Sequence, residues 1–198
     1  FILFSRMGLK KKEKFFLTAL FGFGTVFFSA TILGTIWFFA HLVATLFMVL
    51  SLIEFFGKKR AFLMGFLIGL AALSRQATVL GSIFFLIMFF GQKNLKKNFL
   101  LYGLGLILPL SFQAIFNFIR FGNFFESGYL LQNWYSSYQA ADIARYGFFN
   151  PAYIPRHLSL IFLKMPVFLK QFPFFKPDPE GMAIWLTTPA FFLLFLTP

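Results

Sequence analysis

The sequence predicts an all-α protein, a polytopic transmembrane helix bundle with a long, partly helical extracytoplasmic loop. The first observation is composition: 59% of the 198 residues are hydrophobic and 12% are charged, against about 25% charged in soluble domains. The second is that apolar runs long enough to cross about 30 Å of hydrocarbon recur along the chain. The third is that basic residues collect between those runs, which is typical of cytoplasmic loops. We therefore attribute the net charge of +12 to basic loops that orient the chain in the membrane, and we expect no nucleic-acid partner.

Residues 1–119 are predicted to form the helix bundle. Residues 15–56 are apolar apart from His41 and Glu54, which is the length of two spans, and the turn between them is placed at Gly34 and Thr35. Glycines within the apolar runs are predicted to pack helices together. These are Gly22, Gly24, Gly103 and Gly105. The predicted spans are 15–33, 36–56, 61–74, 77–91 and 98–119.

Charge placement decides how residues 61–91 are divided. This apolar run is interrupted at Ser74-Arg75-Gln76, and it is either one helix with an arginine deep in lipid or two short helices with Arg75 at the boundary. A buried charge costs at least about 2.5–3.5 kcal/mol at the centre of a span. Two helices also bring three basic clusters to one side, as the distribution of positive charge favours. The clusters are Arg6 with Lys10, Lys11, Lys12 and Lys14; Lys58, Lys59 and Arg60; and Lys93, Lys96 and Lys97.

The remaining sequence is predicted to be an extracytoplasmic loop, residues 120–181, followed by the start of a further span, residues 182–198. The loop is rich in Asn, Tyr, Ser, Gly and Pro and is too long for a simple connector. Within it, residues 157–170 are predicted to form a helix at the membrane surface. Because the chain begins at Phe1 and ends in an apolar run, we expect it to be an internal piece of a longer protein.

Arg75 is the strongest candidate for a functional residue. A guanidinium meets phosphate with a fixed forked geometry and stays charged near lipid, which suits the phosphate of a lipid-linked substrate. The alternative is an arginine whose charged head reaches the lipid headgroups. His41 is predicted to bond a neighbouring helix, and Glu54 is predicted to pair with Lys58 at helical spacing.

Further candidates lie in the predicted loop. Arg120 and Glu126 flank a Gly-Asn turn, where they either brace the loop as an ion pair or contact substrate. Asn123 and Tyr129 can hydrogen-bond a sugar, although asparagine at a turn usually caps the local backbone. A cation and a histidine at the start of the surface helix can meet a phosphate or the lipid headgroups. These two residues are Arg156 and His157.

Several short motifs occur in a fixed order along the chain. The helix end at Arg75 carries the pattern G-x-x-x-G-L-A-x-L-S-R, and the predicted loop opens with N-x-x-R-F-G-x-x-x-x-x-G-Y. The segments are Phe21 to Thr25, Trp37 to His41, Gly65 to Arg75, Asn117 to Tyr129, Tyr153 to Leu158, Met165-Pro166 and Gly181 to Pro189. In their order and spacing these segments resemble the GT-C superfamily of polytopic glycosyltransferases, in the branch of the protein mannosyltransferases and aminoarabinose transferases.

The resemblance implies an integral-membrane hexosyltransferase of the plasma membrane, with its active face extracytoplasmic. It would move a sugar from a polyprenyl-phosphate donor to a glycan, lipid or protein acceptor, in contact with membrane lipids. The family's catalytic acid is expected upstream of Phe1, so no catalytic residue is assigned here. No cofactor is assigned either, although a divalent cation is compatible with such chemistry.

Two other functions are also compatible with the sequence. A transporter or flippase of a lipid-linked or small solute would also use short broken helices such as those predicted around Arg75, but such folds usually show internal repeats, and we find none in the sequence. A membrane scaffold without enzymatic activity would need no catalytic pair. It leaves the long polar loop unexplained.

Overall fold

The computed structural model describes residues 1–126, 128, 137–147, 150–178 and 180–195, and it confirms the all-α class. The strands among these residues are two residues long each. The helices are α1 Ile2–Arg6, α2 Lys11–Phe23, α3 Val26–Leu33, α4 Ile36–Phe55, α5 Ala61–Ser74, α6 Ser82–Phe89, α7 Leu95–Phe121, α8 Ser137–Tyr146, α9 Ile154–Leu163 and α10 Ile184–Thr187; the strands are β1 Val167–Phe168 and β2 Phe175–Lys176; and 3-10 helices cover Gln76–Gly81, Pro151–Tyr153 and Pro189–Phe195.

Two helices, α4 and α7, are long and apolar enough to cross a membrane. A third crossing is formed if α2 and α3 are counted together, because they are separated by a short break and bent by 50°. Helix α5 and the segment Gln76–Phe89 are apolar but shorter. The described residues therefore contain two or three helices suited to a bilayer.

The chain divides into two compact units. Unit 1 comprises Phe1–Phe23 and Phe27–Leu130, and unit 2 comprises Gly24–Val26 and Leu131–Pro198. The core of unit 1 lies around α5, which packs against α4 and α7. Its buried members are mainly large apolar side chains, with two polar side chains that find partners: Ser51 donates to the Met64 carbonyl (3.1 Å), and Tyr102 donates to Ser82 Oγ (3.0 Å). The core residues are Phe55, Ala61, Met64, Ile68, Phe85, Phe89 and Tyr102.

Glycine allows α5 and α7 to approach each other closely. A Cβ placed on Gly105 would lie 2.0 Å from the Phe62 carbonyl oxygen, and one on Gly65 would lie 2.0 Å from the carbonyl oxygen of Tyr102. By contrast, a Cβ on Gly103 or Gly22 would meet nothing within 4 Å. The prediction of packing glycines therefore holds for Gly105 and is wrong for Gly22 and Gly103, which face away from neighbouring helices.

The direction of each helix gives unit 1 two different ends. Gly65 lies beside Tyr102 and Gly69 beside Pro109, so α5 and α7 run parallel. The chain reverses after α5: Gly81 contacts Met48 and Ile68, and farther on Phe89 packs against Phe99 and Tyr102 near the start of α7. The end holding Lys58 to Arg60 and the start of α7 is called the basic end. The opposite end, with the start of α4 and the last residues of α5 and α7, is called the Arg75 end.

Glu54 closes the turn at the basic end, with a partner that differs from the predicted one. Its carboxylate accepts from Arg60 Nε and Nη2, both at 2.9 Å, and from the Arg60 backbone N–H at 3.1 Å. The predicted pair with Lys58 required a continuing helix, but α4 ends at Phe55, so helical spacing no longer applies. The turn brings Arg60 back onto Glu54 instead, and the carboxylate raises the pKa of Arg60.

Unit 2 contains a helix in the region 157–170 where the sequence predicted one, with different bounds; its location at a membrane surface stays a prediction. Helix α9 begins at Ile154, with Pro155 in its first turn, and ends at Leu163. The shorter helix has a physical reason, because Pro166 disfavours a helical conformation in the residue before it. After the proline, β1 pairs with β2 as an antiparallel hairpin.

The last described segment of unit 2 is not one continuous helix. Helix α10 covers four residues, and a 3-10 helix follows from Pro189 to Phe195. Trp185 of α10 packs against Phe162 of α9, with ring centroids 5.9 Å apart, and against Phe192, with ring centroids 5.7 Å apart. Aromatic packing therefore holds this segment onto α9.

Candidate functional site

Arg75 lies where α5 ends and the chain reverses. Its backbone is extended, its N–H donates to the Ala71 carbonyl, and its own carbonyl accepts from both the N–H and the hydroxyl of Thr78. These bonds close the end of α5 and start the following 3-10 helix. The side chain is therefore fixed at a helix break, at the Arg75 end of unit 1.

The guanidinium of Arg75 is held by the first turn of α4. Nη2 donates to the Trp37 carbonyl, and the guanidinium carbon lies 5.2 Å from the centroid of the Trp37 ring. His41 lies one turn farther along α4. Among the described residues, the buried Nε has no hydrogen-bond partner. Nη2 is thus engaged by protein, while Nε lacks an acceptor among the described residues.

The turn after α7 contains two further candidates, Asn123 and Glu126, and is braced locally. Gly122 ends the helix with a positive φ of 70° and donates to the Phe118 carbonyl at 2.8 Å. Asn123 Oδ1 accepts from the Phe125 N–H at 2.9 Å, and Glu126 accepts from the Gly128 N–H at 2.6 Å. Both polar side chains therefore cap backbone groups of their own turn, as the simpler interpretation of Asn123 predicts.

Arg120 does not form the predicted ion pair. Its guanidinium lies 5.1 Å from the centroid of the Phe121 ring, while Glu126 binds a backbone N–H. Within the part of the chain that the structure describes, no salt bridge joins Arg120 to Glu126. The exposed Arg120 lies at the same end of unit 1 as Arg75, because α5 and α7 run parallel. Tyr129 lies outside the described residues.

Arg156, in unit 2, joins a cluster of opposite charges. Nη1 donates to Asp142 Oδ2 at 2.9 Å, and Nη2 donates to Glu180 Oε1 at 2.6 Å. Lys164 completes the cluster, with its Nζ 3.2 Å from Asp178 Oδ2 and 3.5 Å from Glu180 Oε2. Two cations and three carboxylates therefore pair within unit 2, which ties α8 and α9 to the residues after the hairpin.

The charge cluster shifts the acidity of two of its members. The Glu180 backbone N–H and the Lys164 ammonium hold the pKa of Asp178 below its ordinary value. The Asp178 carboxylate in turn raises the pKa of Lys164. Both shifts favour the charged forms, so the ion pairs persist across the neutral range of pH.

His157 is exposed and stacks on Tyr153, with ring centroids 5.9 Å apart. The Tyr153 hydroxyl lies 2.7 Å from the Gly147 carbonyl oxygen and 2.9 Å from that of Asp142, so it donates to the end of α8. Partial burial and the nearby Asp142 raise the pKa of Tyr153. His157 is therefore positioned by aromatic contact at the start of α9.

Among the described residues, no group of three or more His, Asp or Glu side chains is arranged to hold a metal ion. No protein-family model, curated protein or solved structure matches this chain. The sequence predicted a helix break at Arg75 but not the contact of Arg75 with Trp37. The signal for this contact was that the predicted spans 36–56 and 61–74 form a helical hairpin, which brings Trp37 and Arg75 to the same end.

Proposed function

We propose that this chain belongs to a polytopic integral-membrane glycosyltransferase of the GT-C type. In this proposal, its Arg75 end faces the extracytoplasmic side of the plasma membrane and binds the phosphate of a polyprenyl-linked sugar donor. The sugar passes to a glycan, lipid or protein acceptor on that side. No residue of this chain is assigned as the catalytic acid in this proposal.

The distribution of charge along unit 1 supports this orientation. Lys58 to Arg60 and the lysines at the start of α7 lie at the basic end, and Arg6 lies close to Gly57 at that same end. Because basic loops stay on the cytoplasmic side, the Arg75 end faces outward. The reversal of the chain at Arg75 supports dividing residues 61–91 into two membrane-embedded helices.

The observation that carries the proposal is the partly satisfied Arg75 guanidinium. A buried N–H without an acceptor costs about 1–3 kcal/mol, which an anionic oxygen placed against Nε would offset. Phosphate accepts from arginine through two parallel bonds, and the Trp37 contact already fixes the plane of the fork. Arg156 is a weaker candidate because two carboxylates already engage it.

Phosphate binding is the appropriate readout, since no catalytic residue is assigned in this chain. We would reconstitute the full chain in nanodiscs of phosphatidylcholine and titrate radiolabelled polyprenyl phosphate. Loss of charged hydrogen bonds worth about 1.5–3 kcal/mol weakens binding roughly 10- to 150-fold, so we expect this loss in Arg75→Ala. Arg75→Lys keeps the charge but not the fork, and should bind with intermediate affinity.

Arg145→Ala provides the matched control. Arg145 also lies over an aromatic ring, with 5.0 Å between its guanidinium carbon and the Tyr146 centroid, but it belongs to unit 2. It should bind like the unmodified chain. Equal affinity of the Arg75→Ala and Arg145→Ala variants would refute the phosphate site, and competition by an equal amount of phosphatidylglycerol would show that the site takes any anionic lipid.

A transporter or flippase is the second candidate, and the broken helix at Arg75 favours it. Transport and transfer differ in what happens to the donor. Vesicles containing the full-length protein and a fluorescent polyprenyl-phosphate sugar would separate them. Movement of the intact donor between leaflets without loss of its sugar supports the flippase, whereas release of polyprenyl phosphate with glycosylation of an acceptor supports the transferase.

A further inference from the structure

We propose that the hairpin formed by residues 167–176 inserts its tip into the interfacial layer of an anionic lipid bilayer. This inference rests on the membrane placement in the proposed function, but not on glycosyl transfer. The segment, here called the phenylalanine hairpin, lies in the region where the sequence predicted the end of a surface helix. Its shape and side chains differ from those of a helix, and they carry the argument.

The phenylalanine hairpin presents an unusual amount of aromatic surface. Phe172 is 86% exposed, Phe168 71%, Phe174 60% and Phe175 59%. A soluble surface seldom gathers large apolar side chains in this way unless they meet a membrane or a partner. Two of the rings, those of Phe172 and Phe174, pack edge to face at 6.2 Å, so they form one apolar tip.

The backbone of the hairpin holds this tip in place. Val167 pairs with Lys176 and Phe168 with Phe175, while the Leu169 N–H donates to the Phe174 carbonyl at 2.6 Å. Phe174 has a φ of 65°, a left-handed conformation that is costly for a residue with a bulky side chain. Glycine or asparagine would adopt this conformation at lower cost. Residues of other types held in it cluster in functional segments.

Charge identifies the occupant as an anionic lipid surface. Lys170 and Lys176 are both exposed and flank the aromatic tip. Neither forms a salt bridge with a carboxylate of the described residues, although Lys176 lies in the field of Asp178. Exposed aromatic rings bordered by lysines match the acyl boundary and the anionic headgroups of a bilayer interface.

Covalent attachment makes weak lipid contacts sufficient. The main part of unit 2 begins at Leu131, a short stretch of chain after α7 ends at Phe121, and α7 is one of the helices suited to crossing a bilayer. A module joined to a membrane span meets the lipid at a high effective concentration, so insertion needs little intrinsic affinity. A partner protein would instead require a shaped complementary surface, which a projecting tip does not need to provide.

The chain contains no cysteine, so a single fluorescent label can be placed anywhere. We would label Gln171→Cys, which leaves the phenylalanines intact, and use Ala152→Cys, an exposed position of unit 2, as the matched control. The full chain is reconstituted in vesicles of equal parts phosphatidylcholine and phosphatidylglycerol containing spin-labelled lipid. We expect the label at position 171 to be quenched several-fold more than the label at 152.

Two further variants separate the aromatic and electrostatic contributions. Phe172→Ser with Phe174→Ser should bring quenching at position 171 down to the level of the control. Lys170→Glu with Lys176→Glu should reduce it as well, as should vesicles of phosphatidylcholine alone. Equal quenching at 171 and 152 in anionic vesicles overturns the inference, and so does concentration-dependent self-quenching at 171 without lipid quenching, which would indicate a protein contact.

Alkaline extraction of the same vesicles distinguishes the two proposals. If the chain is released from the membrane, the placement assumed by the proposed function is wrong. If the chain is retained but the label at 171 is not quenched by lipid, only the hairpin inference fails.

Discussion

Gly105→Ala should be among the most damaging small substitutions in unit 1, and Gly103→Ala should be harmless. The two glycines lie on the same helix, two positions apart, and receive the same added methyl group. At Gly105 that methyl carbon would lie 2.0 Å from the Phe62 carbonyl oxygen and 2.8 Å from the Phe66 nitrogen. At Gly103 it would meet nothing within 4 Å.

The size of the effect follows from these distances. Ordinary contact begins at 3.4 Å, so α5 and α7 must separate by more than about 1 Å to admit the methyl group at Gly105. The obstructing atoms belong to backbone and cannot change rotamer. Overpacking costs about 1–3 kcal/mol in typical cores, and we expect the upper part of that range. Gly103→Ala should leave stability unchanged or raise it by up to about 1 kcal/mol through helix propensity.

Reversible unfolding of the purified chain in mixed detergent micelles, followed by helical circular dichroism against increasing SDS, measures both variants. The difference between them is the informative quantity, because expression and detergent effects are shared. Gly65→Ala, which meets the Tyr102 carbonyl oxygen at 2.0 Å, should resemble Gly105→Ala. If Gly105→Ala unfolds at the same SDS fraction as Gly103→Ala, the close approach of α5 and α7 is incorrect.

Three other predictions concern separate contacts. Arg60→Ala should lower the SDS unfolding midpoint more than Lys58→Ala, because Arg60 makes the contacts that close the turn at the basic end; equal midpoints would contradict this. Asp178 has a lowered pKa, so its ion pair stabilises unit 2 fully above about pH 4 and is lost as pH falls through the lower folded value. Asp178→Asn should abolish the increase in proteolytic cleavage of unit 2 that the unmodified chain shows at acidic pH. A cleavage profile against pH that is the same in both proteins would argue against the ion pair. A double-mutant cycle of Tyr102→Phe and Ser82→Ala should give a coupling energy of about 0.6 kcal/mol, the average measured for hydrogen bonds between membrane helices. A coupling energy of zero would contradict the hydrogen bond between these two side chains.

Local composition was sufficient to predict much of unit 1. The long apolar runs predicted α4 and α7, since a stretch of that length without charge has few other structures available. The interruption at Ser74 to Gln76 predicted the helix break at Arg75, because the charge and polar groups oppose a continuous apolar helix. Each of these features depends on residues adjacent in sequence.

Contacts between distant residues could not be predicted in the same way. Arg156 meets Asp142 and Glu180, far apart along the chain, and nothing in their spacing indicates this pairing. Glu54 pairs with Arg60 because the chain turns back after α4 ends at Phe55, and helical spacing does not apply to this turn. The phenylalanine hairpin was missed since its strands are two residues long and lack an alternating pattern.

Helix α5 is shorter than the hydrocarbon layer of a bilayer is thick. Its 14 residues extend about 21 Å, whereas the hydrocarbon of a typical bilayer is about 30 Å thick. In the proposed orientation, with the basic end in the cytoplasmic headgroups, Arg75 would lie several ångströms below the opposite surface. The membrane would then have to dimple inward there, or admit water, to hydrate a permanent cation. Under the proposed function, acyl-chain length would set the depth of that depression and the ease with which a lipid phosphate reaches Arg75.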